Sequence, residues 1–438
     1  MAGAPPTARE YDVAVIGAGS AGIAAALAAA GTGARVLLLE RESHPGGNIS
    51  QAFVHTICGL YHASAQRDAK FAHPGLPQAL AGRLIASGAA GAVDWAGNAA
   101  FLAVDPEAFA RETANLCRRD ERIDVRMQSE LVAVELAAGP RECCSITFDD
   151  PDGRRVTAMA WTVVDTTGDA NAADRAGVRT ERAGPEELQH ASFIFRIDGV
   201  DTGDLTPMER ARTTAAVARA ARTGRIAPTA SSILVRPGLR RDCVFVTLNC
   251  PKSPNEAFDP LDRDTLGRMQ AAAARDAAQV LEFLVAERGP FRGARVGAWP
   301  SRIGIRETRR IAGIERLEAS DVLSGRRRDD EACVSTWPVE LWDSHERMSF
   351  RHTAGPSSIA LGCLVADHPG HRLAMAGRCA SASHEALGAI RVIGTAMAMG
   401  EAAGAACALA AASRSDLSAV DAAAVREAIA DGRTIAAP

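Results

Sequence analysis

The chain has 438 residues, 47% of them hydrophobic and 23% charged, with a formal net charge of -4 at neutral pH. That length exceeds one ordinary core and suits two domains, or one large domain carrying an insertion. The composition is soluble-globular and offers phosphate backbones and anionic membranes no general attraction, which argues against a nucleic-acid partner.

Two lysines, Lys70 and Lys252, leave 47 of the 49 basic residues as arginine beside heavy alanine use, the mark of GC-rich bacterial coding. The ten cysteines include no CxxC pair, and Cys143 and Cys144 are adjacent, so no metal site is expected and reduced cytoplasmic thiols are. Residues 1–10, MAGAPPTARE, read as a disordered lead. Val13 to Ala34 carries no charge, but its five glycines and strand-like start argue against a membrane span, and the flank before it lacks the basic region of a signal peptide. A cytoplasmic protein is expected.

YDVAVIG reads as a buried strand, AGSAGIAAALAAAG as a glycine-entered helix and ARVLLLE as a second strand. Between the first strand and the helix, Gly17, Gly19 and Gly22 form GxGxxG, and Glu40 ends the next strand 18 residues after Gly22. Gly17 permits a tight turn, Gly19 lets a pyrophosphate approach the backbone, and Gly22 lets helix and strand pack closely. The helix start at Ser20 supplies amide donors, and Glu40 would accept the adenosine ribose hydroxyls. From Gly46 to about Gly97 periodicity fades, predicting a long ordered loop with a short helix near QALAGRLIA. A helix over 106–118 and strands in RIDVRMQSELVAVEL and CCSITFDDPDGRRVTAMAWTVVD follow, ending at TTGD and a short helix in NAADRAG. Between 186 and 300, three strands alternate with Ala/Arg-rich helices near 207–223 and 262–288, which reads as an insertion. The strand HRLAMAG and a terminal helix from about Arg391 to Ser413 close the pattern.

Gly46 and Gly47 follow Glu40 and Arg41; VVDTTGDANAADRAG supplies Asp165, Gly168 and Asp169; and AGRCASASHEALGAIRV supplies Gly377, Arg378, Arg391 and Val392. Together with the GxGxxG and the arginine-rich SRIGIRETRRIAG, these segments resemble, in order, the FAD-dependent oxidoreductase family with its glutathione-reductase-type FAD fold. The resemblance implies an α/β protein: a Rossmann-like FAD-binding domain from 11–185 and 301–438, with an inserted α+β substrate domain over 186–300. It implies non-covalent FAD, held by the residues just named, with the start of the last helix and Arg391 beside the flavin. Trp342, in PVELWD, stands where the family often has histidine, which removes any role inherited at that position.

Residues 48–62 should pass the isoalloxazine, making His55, Tyr61 and His62, with Cys58, the chemically useful groups; His384, before the terminal helix, is a further candidate. Arg306 and Arg310 are spaced to clamp a carboxylate together, although ion pairing with Glu307 is the commoner use. No second GxGxxG, redox CxxC, WxWxIP or GDAxH element is present. The expected reaction is two-electron oxidation of a small organic substrate, free or protein-borne, hydride passing from a carbon bearing nitrogen or oxygen to flavin N5. The alternatives are a flavin monooxygenase and a non-catalytic FAD-stabilised binding protein.

Overall fold

The computed structural model describes residues 9–139, 141–252 and 258–432. Most of the expected lead, residues 1–8, lies outside them, whereas Arg9 and Glu10 already belong to the first strand.

Five parallel strands form the central sheet: Ile123–Arg126, Val36–Leu39, Arg9–Ile16 and Arg155–Asp165 in order, with Leu373–Met375 beside the end of the last. Val36–Leu39 is buried at every position, as a strand covered on both faces must be, and its unbroken VLLL run follows from that. An antiparallel pair, Glu130–Glu135 and Cys144–Asp149, extends the sheet along the first half of Arg155–Asp165.

Helix Ser20–Gly31 and helix Ile393–Ser413 lie together on one face of this sheet, and their backbones nearly touch. A Cβ built on Gly400 would come 2.1 Å from the Ala21 carbonyl oxygen, and one on Gly404 would come 2.2 Å from that of Ala25. The small-residue composition of both helices is thus a packing requirement. Helix Ile393–Ser413 is long and apolar enough to cross a membrane, yet 94% of its apolar window is buried inside the protein. Within it, buried Glu401 accepts the Leu76 N–H at 2.7 Å, satisfying the open start of helix Leu76–Ala86, which has no side-chain cap of its own. Glu401→Ala is expected to lower stability by about 1–3 kcal/mol by leaving that amide unpaired, read as a lower urea midpoint at unchanged slope.

The expected long loop is more ordered than its periodicity suggested. It contains helix Asn48–Ala52 and strands Thr56–Cys58 and Ala90–Ala96, which join Ala99–Val104 in a three-stranded sheet. The three residues of Thr56–Cys58 are too few for an alternation to register.

Strands Leu234–Pro237, Cys243–Asn249, Ser192–Asp198 and Arg295–Ala298 form a separate antiparallel sheet. Helices Pro207–Arg222 and Arg263–Glu287 pack on it around Phe195, Val217, Val246, Leu248 and Leu284. This core also takes in Ala183, Ile303 and Ile305, beyond the expected bounds.

The terminal helix is in fact two. His384–Ile390 ends at Arg391, Val392 is extended, and Ile393–Ser413 follows. Arg391 is therefore the C-cap of the first helix, and His384 and Glu385 open that helix instead of preceding it, with the Ser383 hydroxyl accepting the Ala386 N–H. The break lets Gly394 sit against the Gly59–Leu60 backbone, where a Cβ would come within 2.6 Å.

Candidate functional site

Two features make up the candidate site. The first is a cleft of about 80 Å³ at the start of helix Ser20–Gly31, lined by Gly17, Gly19, Gly47, Glu40, Arg41 and Arg302 among others. Gly17 has φ +100°, and a Cβ on it would meet the Thr166 carbonyl oxygen at 2.9 Å; a Cβ on Gly22 would lie 1.8 Å from the Gly17 oxygen. Gly47 approaches Gly19 so closely that a Cβ there would come 2.9 Å from the Gly19 Cα. No side chain caps the helix, so its first-turn amides remain open to an anion.

Arg302 donates to Asn48 Oδ1 at 3.3 Å, and its Nε is buried without a partner. Burial, then the charges of Arg378 and Arg41, push its pKa down. Three guanidiniums that repel one another beside open amides and a glycine cradle fit a pyrophosphate. Glu40 accepts the Ala18 N–H at 2.6 Å and the Glu42 N–H at 3.0 Å while facing the cleft. Asp169 is bound by Arg378 at 2.6 Å; burial opposes its ionisation, but Arg378, Arg302 and Arg41 outweigh burial and lower its pKa. The Gly168 carbonyl accepts from Arg378 and Thr308. Gly46 and Gly377, at φ +111° and +83°, turn the chain behind the cleft.

The second feature is a cavity of about 290 Å³ between this body and the second sheet. Its walls include His55, Cys58, Arg236, Arg306, Glu340 and Arg391, with Arg378 and Val392 reaching it from the glycine–arginine turn and the helix break. Half-buried Cys58 has its thiol pushed up to about 12 by burial and the nearby Glu340 charge, so it stays protonated. Burial alone would raise the Glu340 pKa; Arg391, Arg306 and the indole N–H donors of Trp342 and Trp337, each at 3.0 Å, outweigh it and hold the carboxyl ionised. Arg306 lies over the Trp342 ring at 4.7 Å and donates to the His190 carbonyl and to Asn249 Oδ1. Burial and neighbouring Arg391 bring its pKa down to about 9, still protonated at neutral pH.

A family model described as FAD dependent oxidoreductase matches residues 12–429. The chain belongs to the FAD dependent oxidoreductase family. FAD is its cofactor, and the glycine cradle, Arg302 and the open helix start would hold its pyrophosphate. Among solved structures, the p-nitrophenol 4-monooxygenase PnpA from Pseudomonas putida is 14% identical at TM-score 0.41, with 70% of each chain covered. The anhydrotetracycline hydroxylase OxyS from Streptomyces rimosus is 13% identical at TM-score 0.45, covering 98% of this chain and 66% of that one. The myxobacterial chondrochloren halogenase CndH is 17% identical at TM-score 0.44, covering 96% and 78%. No curated protein matches the sequence.

Of the histidines and tyrosine expected beside the flavin of this FAD dependent oxidoreductase, the cavity takes only His55. Its Nδ1 lies 3.0 Å from the Phe53 carbonyl, which assigns the proton to Nδ1, and buried Nε2 has no partner. The ring stacks on Phe245 at 4.3 Å, and burial lowers its pKa to about 4. Tyr61 instead packs against Phe71 in the main core, and His62 is half-buried near Arg327; Gly59, at φ +77°, turns the chain away from the cavity before reaching them. His384 is held off the cavity wall by Glu307, which its Nδ1 meets at 2.8 Å and which raises its pKa. Arg310 pairs with the same Glu307, so Arg306 and Arg310 do not act together: the segment is not helical and sends them to different partners. Asp165, expected among the cofactor contacts, is fully buried and accepts from the Thr167, Ala172 and Ala173 amides, shaping the loop from within. Arg236 and Glu340 escaped sequence reasoning; the one signal for Glu340 was an acid between apolar Val339 and Leu341 in a stretch holding Trp337 and Trp342.

His73, like His55, is buried and lowered to about 4, chiefly by desolvation. Both titrate near 6.5 when unfolded, so the unfolded chain binds the extra protons between pH 6.5 and 4. Stability is therefore complete above that window and falls as pH drops through it, by up to roughly 3 kcal/mol per histidine. Urea midpoints at pH 7 and pH 4.5 should show the fall, and His73→Gln should reduce it.

Arg302→Met is expected to weaken FAD binding roughly tenfold or more, measured by flavin release on dilution, since it removes a charge-assisted donor from the cradle.

Proposed function

We propose that the protein oxidises a small organic molecule in the 290 Å³ cavity at a carbon next to nitrogen or oxygen, with His55 accepting the proton of the attached N–H or O–H. The observation that carries this reading is the neutral, buried, unpartnered Nε2 of His55 in the cavity wall. A base already stripped of water, with its tautomer held by the Phe53 carbonyl, needs little reorganisation to take a proton from a bound substrate. FAD supplies the two-electron acceptor for the hydrogen that leaves the carbon with its electron pair, and dioxygen or a diffusible carrier then regenerates it.

Glu340 orients the cavity's far wall, tying Arg391, Trp337 and Trp342 to one ionised carboxylate. The second sheet contributes Ser192, Ile194 and Thr247, acting as a cap that keeps water from the reacting groups.

Turnover under isotopically labelled dioxygen, with mass spectrometry of the product, tests the reading. Oxidation by dehydrogenation leaves the product free of labelled oxygen. One labelled atom in each product molecule would replace it with monooxygenation.

A further inference from the structure

The cavity is unbalanced in charge. Four guanidiniums reach its wall, those of Arg236, Arg306, Arg378 and Arg391, against the single carboxylate of Glu340. Arg378 is neutralised by Asp169 from outside the cavity and Arg391 by Glu340. Arg306 spends its donors on the neutral oxygens of His190 and Asn249. Arg236 lies over the Phe101 ring at 4.8 Å, half-buried, with neither a hydrogen bond nor an ion pair to a carboxylate among the described residues. A half-buried guanidinium whose donors are unused in a low-dielectric chamber is a standing site for an anion. The rest of the wall, including Phe101, Ile194, Leu234, Trp337, Met348 and Phe350, is apolar.

We infer that the substrate is an organic acid with an apolar body, its carboxylate held by Arg236 and its reacting carbon beside His55. The inference rests on the reading of this cavity as the substrate chamber. It also couples the two residues: the Arg236 charge is one of the influences that lower the His55 pKa, behind burial, so a docked carboxylate strengthens the base at the moment it is needed.

The test is equilibrium binding to the FAD-loaded protein, in which the cofactor's own charges are already satisfied, followed by flavin difference absorbance and calorimetry. The probes are benzoate and phenylacetate against benzamide and phenylacetamide, with wild type, Arg236→Gln and Arg236→Lys. The acids should bind at least tenfold more tightly than the amides and lose that preference with added salt. Arg236→Gln should weaken acid binding roughly tenfold to a hundredfold with amide binding unchanged, and Arg236→Lys should keep part of the preference. Acids and amides binding alike, or neither binding, would overturn the inference, and so would a preference that survives Arg236→Gln. If Arg236→Gln fails to retain FAD, the wild-type comparison and Arg236→Lys decide. Acid preference without flavin bleaching by mandelate or phenylglycine counts for the anion site and against oxidation. Bleaching by neutral alcohols or amines that the acids cannot displace counts the other way.

Discussion

His55→Gln is expected to lower kcat/KM by roughly 10² to 10⁴-fold while FAD content stays that of wild type. Glutamine offers an N–H to the Phe53 carbonyl but has no basic lone pair to replace the unpartnered Nε2. The pH dependence gives the same mechanism a second readout. With the free-enzyme pKa lowered to about 4 by burial, wild-type kcat/KM should show no loss from this residue between pH 8 and pH 5, and should decline as protonation sets in below that. A decline centred near the ordinary histidine value of about 6.5 would mean that a solvated histidine is the base.

Gly400→Val should abolish the folded holoprotein. Its Cβ would stand 2.1 Å from the Ala21 carbonyl oxygen, and the obstacle is backbone, so no rotamer relieves it. Opening the two helices would displace Ser20–Gly31, whose N-terminus forms the pyrophosphate cleft, so stability and cofactor are lost together. A cost of roughly 4 kcal/mol or more is expected, with little flavin in the purified protein. Met397→Leu, in the same buried helix but near-equal in volume, should cost less than about 1.5 kcal/mol and keep its flavin. Thermal midpoints and flavin absorbance of the two variants make the comparison.

The parts of the fold most legible in the sequence are those in which each local signal has one solution. Gly17, Gly19 and Gly22 between an apolar strand and helix leave little other than a dinucleotide-type turn, and the crowding around the absent side chains of Gly17 and Gly22 explains those two glycines. His55 was reachable because it follows the Gly46–Gly47 turn closely. Tyr61 and His62 belonged to the same run, but the left-handed turn at Gly59 redirects the chain, and a sequence does not reveal which side of such a turn a later residue takes. The interruption at Arg391–Val392 carries neither proline nor glycine at the break; tertiary contact with Gly59 sets it, so the run read as one helix. Arg236 lies outside every motif, and Glu340, within PVELWD, has only its place between apolar neighbours to mark it; both become site residues only when the second sheet closes over the first body. Trp342, read only as a departure from the family's histidine, proves to be the surface on which Arg306 lies and a donor to Glu340.

The most direct measurement of the central claim is the absorbance of anaerobic, FAD-loaded protein mixed in turn with panels of hydroxy acids, amino acids and amines, and afterwards with NADH and NADPH. The account predicts that one organic class bleaches the flavin before any nicotinamide is added, and that His55→Gln bleaches far more slowly with the same compound. Bleaching by NADH or NADPH alone, with every organic class inert, would contradict it.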